Sequence, residues 1–136
     1  ARTELRRIGL DRVAGYLAGG MSAWQDAGRE IQDLPQMSVE ELRERRATGD
    51  LAILDVRSPD EWQSGHIPGA SFRYVADIIR DTDGVPAEGP MAVVCGSGYR
   101  SSVASSILQR EGRTDLINVI GGMGAWQDAR FETTTT

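Results

Sequence analysis

Apolar residues run through the chain in two rhythms. Leu51-Ala52-Ile53-Leu54-Asp55-Val56 and Met91-Ala92-Val93-Val94 are short, nearly unbroken apolar runs, the pattern of strands buried on both faces. Ile117–Ile120 predicts a further strand, Ala70–Arg73 a shorter one, and Val13–Leu17 one near the start. Helical segments lie between them. Ser38-Val39-Glu40-Glu41 is a capping box, in which the serine and the glutamate each satisfy the other's free backbone N–H. It predicts a helix to about Ala47, stopped by Gly49. Ser58 before Pro59-Asp60-Glu61-Trp62 predicts a short helix, and Val75–Arg80 another. Ser101–Arg110 gathers Val103, Ala104, Ile107 and Leu108 on one face, as a helix over a sheet does. Residues 1–9, 20–28 and 122–129 also read as helical, Ile31–Gln36 as a linker, and Asp81–Pro90 as a polar loop. Strands alternating with helices predict an α/β fold with a mostly parallel sheet.

The chain repeats itself. Gly19-Gly20-Met21-Ser22-Ala23-Trp24-Gln25-Asp26-Ala27 returns as Gly121-Gly122-Met123-Gly124-Ala125-Trp126-Gln127-Asp128-Ala129, differing only at Ser22 against Gly124. With a one-residue slip the match reaches back, laying Arg7-Ile8-Gly9 over Arg110-Glu111-Gly112 and Leu5 over Leu108. A spacing of about 100 residues is domain-sized. The expected organisation is residues 1–30 as the end of a preceding copy, 31–36 as linker, 37–130 as a complete copy, and 131–136 as a frayed tail.

Composition narrows the chemistry. The chain has 136 residues, 40% hydrophobic and 26% charged, which suits a globular core and excludes wholesale disorder. A net charge of −5 argues against nucleic acid as a partner, since phosphate binding needs a basic stripe. No apolar run is long enough for a membrane span, and no secretory h-region opens the sequence, so a cytoplasmic protein is expected. All fifteen basic residues are Arg, which removes lysine chemistry. One Cys and one His exclude an intrachain disulfide and argue against a metal site.

Cys95 is therefore the residue to explain. It ends a buried run and is followed by Gly96-Ser97-Gly98-Tyr99-Arg100 and then a helix. The C-terminal edge of a parallel sheet is where such folds bind ligands. Two glycines let backbone N–H groups turn inward. The helix start and Arg100 add positive potential, which favours a thiolate. A free Cys is otherwise often just a small buried residue, and it is the loop around Cys95 that tips the reading to a nucleophile. The spacing C-x4-R is one residue shorter than the C-x5-R loop that cradles phosphate in cysteine phosphatases. It suits a single sulfur atom better.

Leu54-Asp55-Val56-Arg57 with Glu61-Trp62, Gly65-His66-Ile67-Pro68-Gly69-Ala70, Cys95-Gly96-Ser97-Gly98-Tyr99-Arg100-Ser101, and Gly121-Gly122-Met123 with Ala125-Trp126 together resemble the rhodanese (thiosulfate sulfurtransferase) family. The resemblance implies a three-layer α/β/α fold on a five-stranded sheet, and Cys95 carrying sulfane sulfur as a persulfide. It also implies Gly96, Ser97, Gly98, Tyr99, Arg100 and Ser101 as the residues that hold the substrate. Tandem rhodanese repeats are similar to the C-terminal parts of larger chains that begin with a metallo-β-lactamase-fold domain, some of them persulfide dioxygenases. In that setting the module could act as a relay or docking surface without catalysis of its own.

The expected activity is transfer of sulfur from thiosulfate or a related anionic donor to cyanide or a thiol, with no cofactor and no metal. Asp55 is expected to anchor the loop or cap a turn, Arg57 to pair with Glu61, and His66 to serve a turn. Trp24, Trp62 and Trp126 are expected to pack. Partners in view are the small donor and acceptor, the upstream domains of a parent chain, and a second copy. A homodimer through residues 1–30 is expected because Leu5, Ile8, Val13, Tyr16, Leu17, Met21 and Trp24 need cover, and Val13–Leu17 would be an open strand edge.

Overall fold

The structure, a computed structural model, describes residues 2–136. It divides into two compact units, one up to Asp33 and one from Leu34 to Thr136. In the smaller unit α1 (Arg2–Arg7) ends at Gly9, where Leu10 N–H donates to the Leu5 carbonyl at 2.9 Å. An irregular stretch follows, and Gly19 and Gly20, at φ 79° and 61°, turn the chain into α2 (Gly20–Asp26). Trp24 Nε1 donates to the Glu30 carbonyl at 2.9 Å. The strand expected at Val13–Leu17 does not form, and Tyr16 within it is 93% exposed. A strand needs a neighbour to take its N–H and C=O groups, and here none is paired to it. The open-edge argument for a homodimer therefore loses its strand.

The larger unit carries one sheet in the order β1-β5-β4-β2-β3, every pair parallel. Its elements are β1 (Gln36–Met37), α3 (Val39–Thr48), β2 (Ala52–Asp55), α4 (Pro59–Gln63), β3 (Ser71–Phe72), α5 (Val75–Ile78), β4 (Met91–Val94), α6 (Tyr99–Arg110), β5 (Leu116–Val119) and α7 (Gly122–Asp128). α3 packs with α7, and α5 with α6. Ile53, Ala92, Val94 and Val119 join Leu42, Ile67, Met123 and Trp126 in one core. Leu54, Met91 and Val93 are as fully buried and alternate with them. The expected α/β fold and five-stranded sheet are present, and the sheet is parallel throughout.

Both capping boxes form. Ser38 accepts from Glu41 N–H, Ser58 accepts from Glu61 N–H, and each glutamate takes its serine's N–H in return. Three local expectations are corrected. Gln36 belongs to β1 and not to a linker, because its strand pairs with β5. α6 begins at Tyr99, so Tyr99 and Arg100 lie in its first turn. The tail is not frayed. His66 and Thr134 exchange two backbone hydrogen bonds at 2.9 Å, and Trp126 Nε1 donates to the Glu132 carbonyl at 2.9 Å.

The internal repeat is one of conformation as well as of residues. α6 ends as α1 does, with Arg113 N–H on the Leu108 carbonyl at 3.0 Å and Gly112 at φ 99°. Gly121 and Gly122, at φ 73° and 52°, enter α7 as Gly19 and Gly20 enter α2. The surroundings differ. Met123 and Trp126 are buried, whereas α2 has no buried residue.

Candidate active site

β4 ends at Val94 in the middle of the sheet and delivers Cys95, 1% exposed, to its C-terminal edge. The loop then turns back at Gly98, which adopts φ 109° as it enters α6. The turn brings donors onto the sulfur. Gly98 N–H donates to Cys95 Sγ at 3.1 Å, and Ser101 Oγ lies 3.3 Å from it. Burial works to raise the thiol's pKa, but hydrogen bonds from the Ser101 hydroxyl and from the Ser101, Ser97 and Gly98 amides outweigh it. The net shift is downward from the ordinary value.

The carbonyls of the loop are held on the other side. Met123 N–H donates to the Cys95 carbonyl at 2.7 Å, and Gly124 N–H to that of Gly96 at 3.0 Å. Thus the first turn of α7, whose own N–H groups lack helical partners, fastens the loop with its amides facing the sulfur. Gly122 permits this approach, since a Cβ on it would stand 2.2 Å from the Cys95 carbonyl oxygen.

Arg100 does not reach openly into solvent. Its Nη1 and Nη2 donate to Glu61 Oε2 and Oε1 at 2.6 and 2.8 Å. The Arg100 hydrogen bond, followed by those from Ser58 and against some desolvation, lowers the Glu61 pKa to about 2. The expected pairing of Arg57 with Glu61 is therefore wrong. Arg57 instead donates through Nη2 to Asp55 Oδ2 and to the Gly65 carbonyl, both at 2.7 Å, in a buried pair. Asp55 also accepts the Arg57 backbone N–H at 3.0 Å. It thus caps the turn after β2, and its bonds go to Arg57 and not to Arg100. The planar fork of parallel N–H donors explains both choices: each arginine sits where its guanidinium can meet a carboxylate edge-on.

His66 is 2% exposed, stacked on Trp62 with ring centroids 3.3 Å apart. Its Nδ1 bonds the Trp62 carbonyl and its Nε2 the Thr136 carbonyl, a structural role. Tyr99 is 43% exposed at the loop. A cleft of about 450 Å³ opens beside Gly96, lined by Arg57, Asp60, Glu61, Ser64, Met123 and Gln127 among others. Among the described residues no cluster of three or more His, Cys, Asp or Glu could hold a metal.

Of the residues expected at the site, the structure brings Gly98 and Ser101 onto the Cys95 sulfur. Sequence reasoning missed Glu61 as the partner of Arg100, the α7 amides, and Asn118, whose Oδ1 accepts from Ser101 Oγ at 2.6 Å. The Gly-Gly signature was the one available sign of the α7 contact. Asn118 leaves no local signal, since β5 comes beside β4 only through folding.

Comparison with known proteins agrees with this geometry. A rhodanese-like domain model matches residues 38–129. The chain is 35% identical over 83 residues to a Pseudoalteromonas translucida protein named thiosulfate sulfurtransferase GlpE, covering 61% of this chain and 79% of that one. It is 26% identical over 103 residues to a Bacillus subtilis protein named putative sulfur carrier protein YrkF. That match covers 75% of this chain but only 56% of the relative's length. The fold superposes on a rhodanese-related protein from Thermoplasma volcanium with a TM-score of 0.67 at 22% identity, covering 75% of this chain and 99% of that one.

Proposed function

We propose, from the premise that this chain belongs to the rhodanese-like domain family, that it is a sulfurtransferase acting through a persulfide on Cys95. The observation that carries the reading is the convergence of the Gly98 amide and the Ser101 hydroxyl on one buried sulfur. Thiosulfate is the donor this chemistry suits. The Cys95 thiolate attacks the outer sulfur, the S–S bond of thiosulfate breaks, and sulfite leaves with the bonding pair. The persulfide anion keeps the charge that the loop amides already face, so little reorganisation is needed. Cyanide or a thiolate then attacks the outer sulfur, and the Cys95 thiolate departs. Two displacements through one covalent intermediate give ping-pong kinetics. A cytoplasmic setting, with its pool of free thiols as acceptors, fits this scheme.

The test is intact mass after thiosulfate treatment and desalting. A gain of one sulfur atom is expected for the native protein and none for Cys95→Ser. An adduct persisting in Cys95→Ser, or no adduct on the native protein, overturns the proposal.

The tandem arrangement is part of the same reading. Residues 2–33 reproduce the α6 ending and the α7 entry of the larger unit without its sheet. We take them as the closing segment of a preceding rhodanese-like unit in a longer chain. Amides of Val13–Tyr16 are expected to exchange slowly in a chain extended upstream and quickly in this one. Equal, fast exchange in both would refute it.

A further inference from the structure

Hydrogen bonds lead from the sulfur of Cys95 across the sheet to its edge. Ser101 Oγ lies 3.3 Å from Cys95 Sγ and 2.6 Å from Asn118 Oδ1. Asn118 Nδ2 donates to Gln36 Oε1 at 2.8 Å, and Gln36 Nε2 donates to the Leu34 carbonyl at 3.0 Å. Ser101 and Asn118 are buried, whereas Gln36 is exposed. Asn118 and Gln36 are register partners in β5 and β1.

A hydroxyl has one proton, so Ser101 cannot donate to both neighbours. While Cys95 is a thiol, the proton goes to the Asn118 oxygen, the shorter contact at 2.6 Å. Ser101 then offers the sulfur a lone pair, which suits an S–H donor. A thiolate needs the reverse. If Ser101 donates to the sulfur while Asn118 keeps its orientation, two oxygens face each other with no proton between them. Asn118 must turn its amide over, presenting N–H to Ser101 and its oxygen to Gln36. Gln36 must then offer its own NH2. The set has two self-consistent polarities, one for each protonation state of Cys95. The proton lost by Cys95 goes to water, and only hydrogen-bond directions reverse along the set.

We propose that Asn118 is a positioning residue which, steered by Gln36, sets the direction of the Ser101 hydroxyl and so governs how readily Cys95 becomes a thiolate. The inference rests on Cys95 being the nucleophile of the proposed transferase. Tyr99 and Arg100 on α6, Glu61 on α4 and Tyr74 at the head of α5 are the charged or titratable groups grouped around the loop, with Arg57 and Asp60 on the cleft beside Gly96. Asn118 and Gln36 bring no charge. Their effect is therefore one of hydrogen-bond direction, separable from the field of those groups.

The test is the rate of Cys95 alkylation by iodoacetamide as a function of pH. A carboxylate at position 36 only accepts, so Gln36→Glu locks Asn118 with its N–H outward and its oxygen on Ser101. The midpoint should rise by about half to one pH unit, the shift that one hydrogen bond is worth. Asn118→Ala removes the competitor for the Ser101 proton, and the midpoint should fall. In a Ser101→Ala background the Gln36→Glu shift should shrink to the part due to charge alone, a double-mutant comparison. Equal shifts in both backgrounds, or no shift from Gln36→Glu, overturn the proposal. So does a midpoint that stays or rises in Asn118→Ala. Should Asn118→Ala fail to fold, the substitution at exposed Gln36 still decides the matter. Iodoacetamide needs no sulfur donor, so these midpoints are read whether or not thiosulfate loads Cys95.

Discussion

Glu61 holds Arg100 by both ends of its guanidinium, at 2.6 and 2.8 Å, across a separation of 39 residues. The same Glu61 Oε2 takes the Ser58 N–H at 3.0 Å and the Ser58 hydroxyl at 2.9 Å. One carboxylate thereby ties the first turn of α4 to the first turn of α6. Arg100 Nη2 lies over Gly96, 3.0 Å from where a Cβ would stand. The arginine that follows Cys95 is a strut of the loop before it is an anion ligand.

Arg100→Lys should therefore be a poor replacement, since a point charge cannot reproduce a two-pronged contact. We expect at least about a tenfold loss in kcat/KM for thiosulfate, since one charge-assisted bond is worth about 1.5–3 kcal/mol and about 1.4 kcal/mol is a factor of ten. Glu61→Ala should cost a similar factor by releasing the same loop. Steady-state kinetics on both variants check this. A silent Glu61→Ala beside an inactive Arg100→Ala would mean that Arg100 acts on the donor directly.

The pair should also endure acid. The Glu61 pKa falls from an ordinary 4.5 to about 2 on folding. A carboxylate with a depressed folded value stabilises the fold fully above its unfolded pKa and loses that contribution as pH falls through the folded one. The Tm difference between the native protein and Glu61→Gln should hold steady from pH 7 to about 5. It should close between about 4.5 and 2. A difference unchanged down to pH 2 would contradict the pairing.

Two matching glycines should respond unequally to one substitution. Gly20 and Gly122 both lie at positive φ, so alanine costs each about 1–2 kcal/mol. At Gly20 a Cβ meets nothing within 4 Å, whereas at Gly122 it meets the Cys95 carbonyl oxygen at 2.2 Å. We expect Gly122→Ala to cost more than about 3 kcal/mol, because backbone must move. Denaturant unfolding of the two variants measures the gap. Similar losses would show that α7 does not fasten the loop.

Arg57→Ala should be among the most damaging changes near the site. It would leave Asp55, fully buried, without its partner. Breaking one side of a buried pair costs about 3–5 kcal/mol. Replacing both residues with apolar ones of similar volume should recover most of the loss. Equilibrium unfolding of the single and double variants checks it, and a single-variant cost under about 1 kcal/mol would speak against the pair.

The sequence by itself determined what is local. Capping boxes, glycine stops and apolar runs depend on neighbours a few residues away, so α3, α4, β2 and β4 stand close to where the pattern puts them. The loop from Cys95 to Ser101 was legible for the same reason, as its turn, its glycines and the following helix are contiguous. Tertiary structure decided what depends on distant partners. Leu116–Val119 is a strand because β1 and β4 take its hydrogen bonds, while Val13–Leu17, which precedes the matching Gly-Gly-Met segment, has no sheet beside it and forms none. The sequence pattern paired Glu61 with Arg57, and only the tertiary structure, which brings the first turns of α4 and α6 together, assigned it to Arg100. Asn118 came beside Ser101 through the strand order. A backbone can read its next few residues while still unfolded, but a side chain meets a partner 39 residues away only once the sheet has set both in place.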